Sequence, residues 1–165
     1  MAIASSAAEA AKDNATAALG SNRAFVHATP YWFTTDEGGA YFGVGWTSGG
    51  NTPTRELRTY IDYVVTDGEL PADFVFPEDA SPIARGFLAP KQMFNGPRIP
   101  ATSPLDVSIS EQVRTNAKKL YFFGWAKYFD MFHNTPERIT KFCFLVNGGR
   151  GEYGFPVHDY YNEAT

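Results

Sequence analysis

The residues of this sequence best suited to hold a metal ion are three histidines and one cysteine: His27, His133, His158 and Cys143. A zinc site draws its ligands from short fixed spacings, such as two histidines four residues apart on a helix or paired cysteine and histidine residues. The four residues fall in a predicted strand, a hairpin loop, the tail and a further strand, so their spacing gives no reason to expect them to converge. We therefore predict neither a metal site nor a cofactor.

The sequence also contains no pattern typical of nucleophilic or acid–base catalysis. The hydrolase motif G-x-S-x-G does not occur, and Cys143 has apolar strand neighbours instead of the base or helix N-terminus that would activate a thiol. We predict a packing role for this cysteine. The carboxylates of Asp62, Asp106 and Asp130 are spread over different elements, whereas acid–base catalysis needs a close pair. The chain is therefore expected not to be an enzyme.

Residues 149–154 read GRGEYG and formally match the dinucleotide-binding pattern G-x-G-x-x-G. Such a site also needs a helix that opens at the loop, because its N-terminal amides bind the pyrophosphate. Here Phe155 and Pro156 follow, and the sequence ends at Thr165 without room for a strand–helix–strand unit. The segment is therefore predicted to be a flexible turn.

Composition points to one soluble domain with a short appendage. The 165 residues include 15 Gly and 11 Pro, and 16% are aromatic, which favours many short strands and turns. Lysine and arginine are scattered and the net charge is −4, which argues against nucleic acid as the main partner. The chain lacks a signal-peptide pattern and any stretch approaching the ~20 apolar residues that span a bilayer, so we expect no direct membrane insertion.

The segment Leu120–Val146 organises the chain, because two aromatic and β-branched runs flank a polar break, which is typical of a β-hairpin. We place Lys127 and Lys141 on the solvent-exposed face. Because strand side chains alternate, this choice determines which residues of both strands point to each face. The core face then receives Phe122, Gly124, Ala126 and Tyr128. An outer row remains, made of Tyr121, Phe123 and Trp125. Either the N-terminal helix or loops of the chain cover this row, or it is exposed and binds a partner.

The other elements predict an all-β fold, an immunoglobulin-like antiparallel β-sandwich of about seven strands with a short N-terminal α-helix. Pro30 marks an edge or bulge in the first strand, and alternation in the second places Trp46 in the core. We expect residues 1–20 to form an alanine-rich helix or stalk and residues 21–165 to form the sandwich. Within these units we predict a helix at 4–19, strands at 23–33, 40–48, 55–65, 93–99 and 105–109, and a capped helical turn at 110–118.

The chain resembles a group of uncharacterised proteobacterial membrane-anchored proteins with an immunoglobulin-like C-terminal domain. The matching pieces are Ala7–Leu19, Arg23-Ala24-Phe25, Gly50-Asn51-Thr52-Pro53, Leu120-Tyr121-Phe122-Phe123-Gly124 and Lys141-Phe142-Cys143. The resemblance implies relatives in which membrane helices precede the alanine-rich helix. The expected membrane helix is missing from this sequence, and the family carries no activity or site residues to transfer.

We therefore expect a non-catalytic protein-interaction or accessory module, close to a membrane in full-length relatives. If the outer row is functional, Tyr121, Phe123 and Trp125 supply the contact area, because aromatic residues usually dominate binding energy. The tail aromatics Tyr153, Phe155 and Tyr160 offer an alternative cover for that row. One alternative function is a small enzyme or ligand-binding protein with a pocket lined by the proline-rich segment 69–104. Another is a structural domain that only holds a stalk.

Overall fold

The computed structural model of the chain describes residues 2–149 and 152–165. The described residues form two helices, α1 (Ala2–Ser21) and α2 (Val107–Arg114). Their strands, in chain order, are β1 (Val26–Thr34), β2 (Ala40–Ser48), β3 (Thr54–Thr66), β4 (Ala84–Gly86), β5 (Met93–Asn95), β6 (Lys119–Asp130), β7 (Glu137–Gly149), β8 (Glu152–Gly154) and β9 (Glu163–Ala164).

The strands form two antiparallel sheets in a sandwich-like arrangement. The smaller sheet has the order β1-β2-β5, and the larger has the order β4-β3-β6-β7-β8, with β9 also paired to β7. Every named pair is antiparallel. The predicted mostly-β class with an N-terminal helix is therefore confirmed at this level. Pro30 lies in β1, which forms an edge of the smaller sheet, as predicted from its missing N–H.

The main core lies between the two sheets. The side chains of Phe42, Val44 and Trp46 alternate inward from β2 and are fully buried. Trp46 packs edge-on against Phe142 of β7 at 5.6 Å, and Phe42 contacts Phe122 of β6 at 6.3 Å between ring centroids. The predicted phase of β2 and the core position of Trp46 are therefore confirmed.

The hairpin of β6 and β7 is the centre of the larger sheet. Leu120 pairs with Val146 at its open end, and residues 131–136 connect the strands. The inward residues Phe122, Ala126 and Tyr128 belong to the core between the sheets, as predicted. The outer residues therefore point to the opposite side of the same sheet, where a second apolar cluster lies.

The prediction of a strand at 105–109 is wrong. Only Leu105 makes a β-bridge, with Ala40, and helix α2 begins at Val107. The cause is Asp106, whose carboxylate accepts the backbone N–H of Ser108 at 2.8 Å and caps the helix. The alternation of apolar residues there therefore belongs to a short helix whose buried side chains include Val113.

Helix α1 buries little of its surface against the sandwich. Its side chains from residue 6 to residue 18 are exposed, and its composition is mostly small. A side-chain hydrogen bond from Asn22 to the carbonyl oxygen of Ala18 closes its C-terminal end. No helix of the described residues is both long enough and apolar enough to cross a membrane.

Candidate functional site

The predicted outer row lies buried inside the chain. Tyr121 is 0% exposed, Trp125 is 2% exposed and Phe123 is 4% exposed. The three side chains do share the outer face of β6, as their alternation predicts. They do not offer the exposed area that direct contact with a partner needs, so the functional surface has to be sought elsewhere.

Two segments distant in sequence cover the row. Phe74 packs edge-on against Phe123 at 5.3 Å, and Phe76 stacks on Tyr161 of the tail at 5.5 Å. The hydroxyl of Tyr161 donates a hydrogen bond to the carbonyl oxygen of Phe74 at 3.0 Å, so the two segments are also joined to each other. The chain's own loops therefore cover the row, and the described part of the N-terminal helix does not belong to this cluster.

The tail aromatics considered from sequence lie elsewhere. Tyr153 and Phe155 contact Phe42 edge-on at 5.7 Å and 6.2 Å, on the core side of the larger sheet. Tyr160 is 67% exposed. Tyr161 takes the covering role, since its ring packs against Phe74 and Phe76. Its backbone has a positive φ of 64°.

The outer face of the smaller sheet carries a second aromatic row, which sequence reasoning missed. Residues that pair directly across antiparallel strands share a face, so the registers of β1, β2 and β5 define its members. We call this surface the open face. The registers place His27, Thr29, Tyr31, Phe33, Tyr41, Gly43, Gly45, Thr47, Met93 and Asn95 on it. Phe25, whose ring lies 6.4 Å from that of His27, and Arg98, which lies over the Tyr41 ring, are also counted as members.

The open face is flat at its centre and aromatic at one end. Gly43 lies beneath Tyr31, since a Cβ at that glycine would sit 2.3 Å from the tyrosine ring. Phe33 stacks on Tyr41 at 5.1 Å, and the guanidinium of Arg98 lies 4.3 Å from the Tyr41 ring centroid. One sequence feature could have predicted this aromatic pair. Phe33 and Tyr41 lie equally far from the turn at residues 35–39, so they are expected to pair across the hairpin.

Apolar exposure on the open face is concentrated in three side chains. Phe25 is 39% exposed, Phe33 is 37% exposed and Met93 is 54% exposed. Arg98 supplies a positive charge, and no Asp or Glu belongs to the open face among the residues that the structure describes. The open face therefore combines a few exposed apolar side chains with polar ones and the cationic side chain of Arg98, although the whole chain carries a net charge of −4.

A cleft of about 470 Å³ opens at the opposite side of the molecule. We call it the tail cleft, because the C-terminal tail forms one wall and the start of the proline-rich segment forms the other. Of the segment 69–104, which sequence reasoning proposed as a pocket lining, only the first four residues take part. The lining consists of Glu69, Leu70, Pro71, Ala72, His158, Asp159, Tyr160 and Tyr161.

The Tyr121 hydroxyl anchors the tail cleft from below. It donates a hydrogen bond to Glu69 Oε2 at 2.8 Å and accepts one from the backbone N–H of Leu70 at 3.1 Å. Burial and the nearby Glu69 carboxylate raise the pKa of Tyr121 to about 12. Lys119 forms an ion pair with Glu69, and this contact lowers the pKa of the carboxyl. One wall of the cleft is therefore held by a buried side chain of the outer row.

Cys143 is a packing residue in the structure. Its side chain is fully buried in the cluster of the outer row, and burial raises the pKa of the thiol to about 11. Its backbone N–H donates to Asn162 Oδ1 at 3.0 Å, which binds the tail to β7. A thiol with so high a pKa is a poor nucleophile at neutral pH.

The three histidines lie on separate surfaces. His27 belongs to the open face, His133 lies exposed in the β6–β7 loop, and His158 packs edge-on against Tyr121 at 5.3 Å. Among residues 2–149 and 152–165, no three or more His, Cys, Asp or Glu side chains form a group that could hold a metal ion.

The candidate carboxylates serve local structure. Asp62 accepts the hydroxyl of Tyr60 at 2.9 Å, and Asp106 caps α2. Asp130 is 1% exposed and accepts the backbone N–H of Ala24 at 2.8 Å together with Arg138 Nε at 3.2 Å. The structure does not bring these three acids into a pair.

The glycine-rich segment 149–154 connects two paired strands. Arg150 and Gly151 lie outside the described residues, while the flanking Gly149 and Glu152 pair as the ends of β7 and β8. A strand therefore follows the loop where a dinucleotide site needs a helix.

No protein-family model, no curated protein and no solved structure matches the chain.

Proposed function

We propose that the chain is a non-catalytic protein-interaction module of the immunoglobulin-like type and that its open face binds the partner. The single observation that carries this proposal is an aromatic, partly exposed sheet face in a sandwich whose other outer face is already covered. Outer faces of antiparallel sheets are normally polar. On the open face Phe33 lies exposed at one end, and Phe25 and Met93 lie exposed at the other. Exposed apolar side chains on a sheet face are typical of interaction sites.

The immunoglobulin-like assignment is supported by the strand order. Lettering β1, β2, β3, β5, β6 and β7 as A, B, C, E, F and G gives sheets A-B-E and C-F-G, with β4 beside strand C. Immunoglobulin-like sandwiches divide their strands between sheets in this way, with Greek-key connections. The described chain departs from that pattern by adding α1, α2 and the short tail strands β8 and β9.

The size of the open face fits an extended segment of another protein. Three strands about 4.8 Å apart and up to nine residues long give a platform of roughly 30 Å by 10–15 Å. A typical globular partner buries about 800 Å² on each side, which is more than this platform offers. An extended segment laid across it needs less area.

The side chains of the open face indicate which residues the bound segment should contain. The exposed apolar side chains of Phe33 and Met93 favour aromatic or aliphatic contacts, and Arg98 favours a carboxylate. We therefore assign an extended protein segment that combines aromatic or aliphatic residues with Asp or Glu. In longer relatives of the kind that the sequence resembles, α1 would hold this module at a distance from a membrane anchor.

The proposal is tested by selection from a displayed random-peptide library on the full chain. We expect enrichment of peptides that combine aromatic or aliphatic residues with Asp or Glu. A synthetic peptide of the enriched sequence should bind Phe33→Ser about tenfold more weakly than wild type, because aromatic anchors of an interface typically contribute more than 1 kcal/mol. Arg98→Gln should weaken binding of the acidic peptides and spare a peptide whose acids are replaced by amides.

The control variant is Val75→Ser, which removes an apolar side chain that is 83% exposed outside the open face. Its affinity for the selected peptides should equal that of wild type. Circular dichroism and urea unfolding establish that each variant is folded before binding is measured. Peptides that bind Phe33→Ser as tightly as wild type, or an enrichment of basic peptides, would contradict the proposal.

A further inference from the structure

We infer that the tail cleft is a binding site for a small organic cation, a primary ammonium or guanidinium group carried on an apolar body. This site is separate from the open face and does not depend on the protein-binding function proposed for it. Four observations lead to this ligand class: the carboxylates of the lining, its aromatic side chain, the fixation of both walls and the size of the cavity.

The lining contains two carboxylates and one histidine, His158. Glu69 and Asp159 both line the tail cleft, and none of its eight lining residues is Lys or Arg. Glu69 is already engaged by Lys119 and by the Tyr121 hydroxyl. Asp159 is exposed and makes no hydrogen bond or ion pair with the part of the chain that the structure describes. Its carboxylate is therefore the group left to pair with a ligand cation.

Tyr160 supplies an aromatic side chain to the same lining. Tyr160 is 67% exposed, and its ring packs against His158 at 5.7 Å. A cation within about 6 Å of a tyrosine ring is attracted by the negative ring face. The same ring offers apolar area to the body of the ligand, so one molecule can use both the charge and the apolar surface.

Both walls are fixed before a ligand binds. The Tyr121 hydroxyl accepts the N–H of Leu70, which holds the wall of residues 69–72. Asn162 holds the tail wall, since its amide donates to the carbonyl oxygen of Tyr160 at 3.0 Å and its oxygen accepts the N–H of Cys143 at 3.0 Å. Preformed walls lower the ordering cost of binding.

The cavity of about 470 Å³ lies in the ordinary range of small-molecule sites, roughly 300–1,000 Å³. This volume holds a compact ligand with a single ring. Benzylammonium is therefore a suitable probe, because it joins a primary ammonium to one ring. Benzyl alcohol is its matched neutral control, since it has the same ring and almost the same shape.

The experiment is a titration of the full ¹⁵N-labelled chain with benzylammonium, followed by amide chemical shifts. We expect saturable shifts at residues 69–72 and 158–161, and binding at least fivefold tighter than that of benzyl alcohol. Asp159→Asn and Tyr160→Ala should each weaken benzylammonium binding about two- to fivefold, the range for an exposed charge pair or cation–π contact. Asp73→Asn removes an exposed carboxylate outside the lining and should leave affinity unchanged.

Three results would overturn the inference: equal binding of benzyl alcohol and benzylammonium, shifts confined to residues outside the cleft, or wild-type affinity in Asp159→Asn. Benzylammonium binding should persist in Phe33→Ser. The proposals for the tail cleft and for the open face are therefore tested independently. The Asp159→Asn change lies on an exposed tail residue, and unchanged amide spectra away from the cleft establish that the variant is folded.

Discussion

The indole Nε1 of Trp125 donates a 3.0 Å hydrogen bond to the carbonyl oxygen of Pro77. This contact ties the outer row of β6 to the segment that covers it. Apolar packing alone is non-directional, whereas a buried hydrogen bond favours one position of the partner segment. The covering segment is therefore part of the folded core.

Trp125→Phe should lower the free energy of unfolding by about 2–3 kcal/mol, because it leaves a cavity and deprives the Pro77 carbonyl of its donor. Urea unfolding followed by circular dichroism measures this loss. Iodide quenching of tryptophan fluorescence should keep its strongly quenched component in the variant, since Trp125 is only 2% exposed.

Trp32 is the matched control for that measurement. It is half-buried, whereas Trp46 is fully buried, so Trp32 should provide the quenchable component. Trp32→Phe should therefore remove most of the iodide quenching. Loss of quenching in Trp125→Phe, with stability unchanged, would mean that the outer row is exposed in solution.

Asp130→Ala should destabilise the chain by about 3 kcal/mol. The substitution leaves the N–H of Ala24 and the guanidinium of Arg138 without their carboxylate partner, and removing one member of a buried pair is costly. Asp67→Ala is the control, because Asp67 pairs with Lys118 but its side chain is 89% exposed. Its effect on the free energy of unfolding should be far smaller than that of Asp130→Ala, because an exposed ion pair contributes little. Equal losses of unfolding free energy in urea would contradict this prediction.

Gly124→Ala should cost about 2–3 kcal/mol through overpacking in the larger sheet. A Cβ at Gly124 would lie 2.3 Å from the carbonyl oxygen of Tyr60, and this neighbour is backbone of the adjacent strand. Gly86→Ala serves as the control, since no atom lies within 4 Å of a Cβ there. In thermal unfolding, Gly124→Ala should have a clearly lower melting temperature than Gly86→Ala. Similar melting temperatures would show that β3 and β6 can move apart to accept the methyl group.

Tyr121→Phe should change how stability depends on alkaline pH. The folded state raises the pKa of Tyr121 to about 12, above the ordinary value of about 10, so the neutral phenol is favoured in the fold. This stabilisation is fully present below about pH 10 and is lost as pH rises through about 12. The stability difference between wild type and Tyr121→Phe should therefore shrink between pH 9 and pH 11.5.

Urea unfolding at several pH values measures that difference, with Val75→Ser as a control that removes no ionisable group. The stability difference between wild type and Val75→Ser should stay constant with pH. A constant difference between wild type and Tyr121→Phe across the range would show that the phenol ionises equally well in the folded and unfolded chain.

Local alternation in the sequence was enough to determine which side chains of β2 and β6 share a face. In β2, Phe42, Val44 and Trp46 alternate with small residues, and in β6 the lysine at position 127 fixes the phase. These predictions succeed because strand side chains alternate with a period of two, and neighbouring residues alone reveal that period. The hairpin of β6 and β7 follows from the same local pattern and its polar loop.

Only the tertiary structure decided three features. These are the segments that cover the outer row, the exposure of the open face and the presence of the tail cleft. Tyr161 meets Phe74 across 87 positions of sequence, and Tyr121 meets Glu69 across 52. Alternation shows that a side chain points away from one sheet face but carries no information about which distant segment packs there. Burial depends on the sum of long-range contacts, so Phe33 on the open face is 37% exposed whereas Trp125 in the outer row is 2% exposed.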